Sequence, residues 1–252
     1  MKSAFAKLRR TLRDQRARLA LLVPKARKRA SEADVHRLRV LTRRLRALLR
    51  LLKPVKGAAP ARRASRRLRT LGRALGERRM WDVAFAGMPG LVRQPERFEP
   101  KRAAASRLLA RELNRIYLDA LLEELKAASK AMRAAQGSVV AERAAKLRRA
   151  LERCEGRAPR HVDARHALRL DIKKSRYLLE ACGVDAPQAR GLQALLGHEH
   201  DLYMLLVLAG RNRRVKQLEA QARAATDAAA GSALRETLAL LKGLQRAFAS
   251  RD

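Results

Sequence analysis

The sequence predicts an all-α protein: two pseudo-symmetric antiparallel four-helix bundles that arise from an internal duplication. Three observations predict it. Strong helix formers (Ala, Leu, Arg, Glu, Lys) dominate the chain, while β-branched runs are almost absent and aromatics make up 3%. Leucines recur at helical 3–4 spacing, as an apolar face must. One helical unit also occurs twice in the chain, which points to paired bundles.

The elements follow in order. A first helix is expected over Ser3 to Leu22, with Phe5, Leu8, Leu12, Leu19 and Leu22 on one face, ended or kinked by Pro24. Ser31 and Asp34 form a capping-box-like pair that opens a second helix, running to about Lys53 before Pro54. Gly57 to Pro60 reads as a loop, followed by a helix to Gly76 and a short apolar piece from Trp81 to Ala86. Gly87, Pro89, Gly90, Pro95 and Pro100 break the chain, placing the boundary near residue 94: residues 1–94 form a first helical half and 95–252 a second, within one domain over 1–252. A long helix is expected from Lys101 to Ala135, stopped by Gly137, with Leu109, Leu113, Ile116, Ala120 and Leu121 on one face. Further helices are expected over Val139 to Glu155, Asp163 to Cys182, Pro187 to Ala209 and Arg213 to Ser250, with Gly231 a candidate break in the last. Short connections favour up-and-down packing.

Charge narrows the function. The chain has 59 Lys plus Arg against 24 Asp plus Glu, a formal charge of +35. Such an excess repels itself in a compact fold and calls for an anionic partner. Most of the cations are arginine, which grips phosphate with two parallel hydrogen bonds. Arg9, Arg10, Arg13 and Arg16 interrupt any signal-peptide core, and no stretch is long enough for a membrane span. Cys154 and Cys182 lack metal or redox spacing, so a cytoplasmic setting is expected.

The repeat locates the charge. VHRLRVLTRRLRALLR from Val35 aligns without a gap to RHALRLDIKKSRYLLE from Arg165. His36 then meets His166, Arg39 meets Arg169, Arg43 meets Lys173, Arg44 meets Lys174, and Arg46 meets Arg176. A second pair follows: LGERRMWDV from Leu75 and LGHEHDLYM from Leu196. On a helix, His36, Arg39, Arg43, Arg46 and Arg50 fall at steps of 3, 4, 3 and 4, a single stripe about 21 Å long. His166, Arg169, Lys173 and Arg176 repeat those steps. Val35, Leu38, Leu45, Leu49 and Leu52 occupy the neighbouring face and are expected to pack inward. Like charges at this spacing repel by roughly 0.2–0.5 kcal/mol per pair. No carboxylate lies between Val35 and Lys53 to relieve them. A solvated outer face is the commoner fate of a charge run, but the same stripe twice, with a histidine at the same register, favours an external anion.

At these residues the chain resembles the CHAD family, the conserved-histidine α-helical domain. The matching pattern is H-x-L-R-x-x-x-R/K-R/K-x-R in both halves, each followed by a segment like LG-x-x-R-D-x-D-V, and it spans about Phe5 to Gly210. The resemblance implies paired four-helix bundles with a basic cavity or groove. It also implies binding of inorganic polyphosphate, often at intracellular polyphosphate granules. Carried over, the binding residues are His36, Arg39, Arg43, Arg44, Arg46 and, by the stripe, Arg50 in the first copy; His166, Arg169, Lys173, Lys174 and Arg176 form the second. The LG segments are degenerate: the first keeps Arg79 and Asp82 but has Met80 for an acid, and the second keeps Asp201 but has His200 for the arginine and Tyr203 for the later acid. Arg79, Asp82, His200 and Asp201 are therefore supporting residues, the acids expected to orient a stripe arginine.

Other functions fit less well. Polyphosphate presents only charge and phosphate oxygens, so a binder needs many cations and no stacking platforms. Non-specific binding to a DNA or RNA backbone uses the same residues and is the alternative, but aromatics are not interleaved with the stripes for base stacking. His198, Glu199, His200 and Asp201 suggest a metal cluster, yet His198 and His200 point to different sides of a helix, and a polar cluster at a helix start is preferred. With no Gly-rich phosphate loop and no E-x-E-x-K strand motif, no enzyme, metal or cofactor is expected. Trp81 and Tyr177 read as packing residues, and the last helix as completing its bundle. Protonated histidines are expected to extend the row, so binding should strengthen as pH falls through about 6.5.

Overall fold

The structure, a computed structural model, describes residues 2–52, 55, 57–87, 90–92, 94–132, 137–154, 156–209 and 212–249. The helix ends expected at Lys53, Ala135, Glu155 and Ser250, the breakers Pro54 and Pro89, and the side chain of Phe5 lie outside them. Among the described residues the regular elements are all helices, and there is no strand. Its helices are α1 (Lys2–Lys28), α2 (Glu32–Leu51), α3 (Ala59–Gly87), α4 (Glu99–Arg115), α5 (Leu118–Ala131), α6 (Gly137–Glu152), α7 (Val162–Ala181), α8 (Pro187–Ala209) and α9 (Arg213–Ala249). A 3-10 turn, Pro95–Phe98, leads into α4.

The chain divides into two compact units, but not at residue 94. The first contains residues 1–86 and 94–135, the second 87–93 and 136–252. The Pro/Gly-rich stretch is thus no boundary between sequential halves, because α4 and α5 pack back onto the first unit's helices. In that unit α1 packs on α2, α4 and α5. In the second, α9 packs on α6, α7 and α8, and α7 packs on α6 and α8. The basic C-terminal helix therefore completes its bundle, burying Val215, Ala222, Leu234, Leu241 and Leu244.

Local chemistry explains where the elements begin and end. Ser31 caps α2: its hydroxyl accepts the Asp34 N–H at 3.2 Å and donates to the Asp34 carboxylate at 2.7 Å. Pro24 does not end α1, which continues to Lys28 because Val23 and Ala26 are buried on either side of an exposed proline. Gly76 does not end α3 either. That helix runs on to Gly87, held by the buried Leu71, Leu75, Trp81 and Ala84. Gly231 sits inside α9 as a packing residue, since a Cβ there would lie 3.2 Å from the Gly156 carbonyl oxygen.

The helix expected over Lys101 to Ala135 is interrupted, although no proline or glycine marks the site. Ile116 and Tyr117 are extended, with ψ of 117° and 90°. Arg27 supplies the cause: its guanidinium donates to the carbonyls of Leu113 at 2.9 Å and Ile116 at 2.6 Å. Carbonyls orphaned at a helix end thereby find a partner from α1. The break also turns Ala120, expected on the buried face, out to solvent.

A buried ion pair fixes the start of α7. Arg165, 3% exposed, donates to both carboxylate oxygens of Glu199 on α8, at 2.5 and 2.6 Å. It also donates to Asp227 on α9 at 2.6 Å and to the Pro159 carbonyl at 3.0 Å. Burial opposes the guanidinium charge, but the hydrogen bonds to Glu199 and Asp227 outweigh it and hold the group above its ordinary value. Removing one member of such a pair strands a buried charge, at roughly 3–5 kcal/mol. Arg165→Met, which leaves the buried Glu199 without its partner, should therefore lower the stability of the chain by about that amount in urea unfolding, while the double replacement Arg165→Met with Glu199→Leu restores most of it. An Arg165→Met loss below about 1 kcal/mol contradicts this role.

Candidate functional site

The first row of cations rides on the packing of α2. Val35, Leu38, Leu45, Leu49 and Leu52 are all buried, as expected from their spacing, and this fixes the rotation of the helix. The adjacent stripe is then held at the edge of the core. His36 is exposed, whereas Arg39, Arg43, Arg44, Arg46 and Arg50 are half-buried.

α3 lies against this stripe and adds cations to it. A Cβ at Gly72 would lie 3.5 Å from a terminal guanidinium nitrogen of Arg46 and 3.8 Å from the Thr42 hydroxyl, so the Arg46 head group packs beside the α3 backbone. Burial lowers the pKa of Arg46, and the neighbouring charges of Arg50, Arg69, Arg43 and Arg73 act in the same direction. Its Nε is buried without a hydrogen-bond partner among the described residues. Partial burial likewise lowers the pKa of His36, followed by the cations Arg79, Arg39 and Arg43. Two helices thus meet here with cations facing cations. Sequence reasoning missed Arg69 and Arg73. Their signal was present: Arg66, Arg69 and Arg73 fall at steps of 3 and 4, the same period as the α2 stripe.

The second unit builds a related but milder site. The rings of His166 on α7 and His200 on α8 lie with centroids 5.2 Å apart, tilted by 48° to one another. Burial lowers the His200 pKa, Arg169 and His166 push it further down, and Asp201 and Glu199 oppose them. Burial also depresses Arg169, against the favourable charge of Asp201. A Cβ at Gly197 would stand 4.0 Å from that guanidinium. The hollow lined by His166, Arg169, His200 and Tyr203 has a volume of about 20 Å³, room for roughly one water molecule. Here carboxylates temper the row: Lys174 pairs with Asp171 at 2.5 Å, and Arg176 lies 3.6 Å from Glu180 while covering the Tyr177 ring at 4.7 Å. Lys173 is half-buried on the same helix.

Two expectations need correction. Asp82 does not orient a stripe arginine: it is buried and accepts from Arg78 at 2.9 Å, with Arg102 at 4.0 Å. The acid sits four residues beyond Arg78 on the same helix, a closer partner than any on α2. Nor do His198 to Asp201 start a helix. They lie midway along α8, where Glu199 faces inward to Arg165 and His198 faces solvent. Asp201, by contrast, does act on a stripe cation, Arg169. Trp81 is buried between Phe85 and Phe98, and Tyr177 is buried. Among the described residues no group of three or more His, Cys, Asp or Glu could hold a metal ion. No helix among them is long and apolar enough to cross a membrane.

With both rows in view, the family can be stated. The model of the CHAD domain matches residues 10–210, about four-fifths of the chain. The chain belongs to the CHAD domain family. Both histidine-bearing helices and both LG segments fall inside the matched span. A crystal structure of the CHAD domain from the plant Ricinus communis is similar in fold, with a TM-score of 0.64 over 96% of this chain and 91% of that one, at 21% identity. No curated protein matches the chain.

Partial burial first, and the neighbouring cations after it, disfavour the His36 imidazolium, so its folded pKa lies below the ordinary value of 6.5. Acidification from above 6.5 through that lower value therefore costs the folded state stability. Arg79→Gln should move the His36 midpoint upward when followed by NMR titration. An unchanged or lower midpoint would show that Arg79 does not act on the ring.

Proposed function

We propose that this CHAD domain binds inorganic polyphosphate through the cationic rows of α2 and α7, with α3 contributing to the first. The observation that carries the reading is Arg46: a half-buried guanidinium with an unsatisfied Nε, placed among Arg43, Arg50, Arg69 and Arg73. Leaving a buried donor unpaired costs roughly 1–3 kcal/mol, and gathering like charges adds to it. An anion spread along several guanidinium groups offsets both terms. A phosphate polymer supplies such an anion at every unit, with no bases to read, and the family resemblance points to the same ligand.

The matched registers of the α2 and α7 rows support an internal duplication, two four-helix bundles with one row apiece. The role is capture without chemistry, in the cytoplasm and at polyphosphate granules. Non-specific nucleic-acid binding is the competing reading. The scarcity of aromatics, with Trp81 and Tyr177 both buried, argues against it.

The test is a binding series with long-chain polyphosphate, DNA, RNA and heparin at several salt concentrations. Replacing Arg43, Arg46, Arg69 and Arg73 by Gln removes four charge-assisted contacts and should weaken polyphosphate binding on the order of 100-fold. The log–log salt dependence should flatten with each lost contact, as it does by about 0.9 per phosphate contact for DNA. Polyphosphate should displace DNA far better than the reverse. Equal competition, or full capture after Arg39, Arg43, Arg169 and Lys173 are neutralised together, overturns the proposal. Loss of polyphosphate on incubation with the pure protein and a divalent metal would overturn the non-catalytic role.

The histidines add a pH dependence. A bound anion favours imidazolium and raises the His36 pKa from its depressed value, so affinity should grow as pH falls below 6.5. His36→Ala with His166→Ala should flatten that dependence in a pH series; an unaltered profile assigns it to other groups.

A further inference from the structure

The first unit carries a second group of cations, on the side away from the α2–α3 row. α1 packs on α2 and on α5. α3 lies beside α2, where the Arg46 head group packs at Gly72. It also lies beside α5, where the buried Glu124 carboxylate joins Arg63 at 3.3 Å and Arg67 at 3.2 Å. Round this unit the order is therefore α1, α2, α3, α5, so the edge where α5 meets α1 lies opposite the edge where α2 meets α3. Between α1 and α5 runs a cleft of about 390 Å³. Arg9, Arg13 and Arg16 line it at steps of 4 and 3 from α1, and Lys126 and Lys130 stand one turn apart on α5. Arg13, Lys126 and Lys130 are exposed, and Arg9 and Arg16 are half-buried. Leu12 and Leu125 beneath them are 1% and 0% exposed, so the cleft offers charge and hydrogen-bond donors and little apolar surface. Among the described residues no carboxylate lines it; Glu123 nearby pairs with Lys126 at 3.3 Å.

We propose that this cleft is a second phosphate-polymer site, so that one protein molecule holds two polyphosphate polymers on opposite sides of its first unit and bridges them. The inference rests on the polyphosphate reading of the α2–α3 row and adds to it a separate site and a consequence. Five cations drawn from two helices, with no acid lining the space between them, repel one another, and an external anion relieves that repulsion. Because the leucine floor is closed, recognition is by charge alone. That suits a polymer presenting phosphate at every unit and nothing else. A helix with its side chains is about 10 Å across, so two helix layers set the two grooves about 20 Å apart. The Debye length is about 8 Å at physiological salt. A polymer in one groove therefore does not repel a polymer in the other.

The test holds long-chain polyphosphate on a sensor surface by one biotinylated end, saturates it with the full-length protein, and then adds fluorescently labelled long-chain polyphosphate. The second polymer should be captured. Arg9→Gln with Arg13→Gln and Lys130→Gln should leave binding to the first polymer within about threefold and cut capture of the second, per bound protein, at least tenfold. Ser129→Glu, which sets a carboxylate among the cleft cations, should do the same; a circular dichroism spectrum like that of the unaltered chain confirms its fold. Lys7→Gln with Arg10→Gln and Arg18→Gln removes three exposed charges of α1 outside the cleft and should leave second-polymer capture within about threefold. Arg169→Gln with Lys173→Gln on α7 should leave it unaltered to the same degree. A protein that fails to bind the first polymer overturns the polyphosphate reading and this proposal with it, whereas binding of the first without capture of a second overturns the bridging alone. Second-polymer capture that survives the cleft variants, that falls as far in the control or α7 variants, or that labelled DNA matches, overturns the proposal as well.

Discussion

The structure depends on a conflict between apolar burial and like-charge repulsion along α2. Fully burying a leucine contributes about 1.5–3 kcal/mol, whereas each like-charged pair one turn apart costs roughly 0.2–0.5 kcal/mol. Leu38, Leu45, Leu49 and Leu52 therefore decide how the helix is rotated, and the arginines go where that rotation carries them. It carries them against α3, whose own arginines face the same way. Arg46 packs beside α3 at Gly72 and is half-buried there. The cationic row is thus maintained by the core behind it, at a cost that an anion can offset.

The distribution of carboxylates sharpens the contrast. The chain has few acids, and several of them tie helices together at a distance from the α2 row. Asp82 joins Arg78 and Arg102, Glu124 joins Arg63 and Arg67, and Glu199 with Asp227 holds Arg165. Acids that could neutralise the first row are placed as struts. In the second unit the allocation differs, since Asp171, Glu180 and Asp201 all act on the α7 row. The two copies share register and histidine but not charge density.

Much was legible in the sequence because it depends on period alone. The all-α fold, the cap at Ser31, the buried face of α2 and the cationic stripe all follow from which residues recur at steps of 3 and 4, and a helix turns those steps into faces whatever surrounds it. The duplicated motif carried the CHAD resemblance on the same basis. Glycine and proline are weaker stops than their local cost suggests. At Pro24, Gly76 and Gly231 packing outweighs a local cost of about 1–3 kcal/mol, so the helices continue.

What only the tertiary structure decided are the contacts between distant segments. No local signal shows that Arg27 reaches the carbonyls of Leu113 and Ile116 and ends α4 there. None shows that Glu199, in a stretch resembling a metal cluster, faces Arg165 instead. Nor does spacing reveal which arginines of α3 stand opposite α2, since a helical period gives the faces of one helix but not the partner each face meets. That choice is made by side-chain packing across the core, and it is what gathers Arg46, Arg69 and Arg73 into one site.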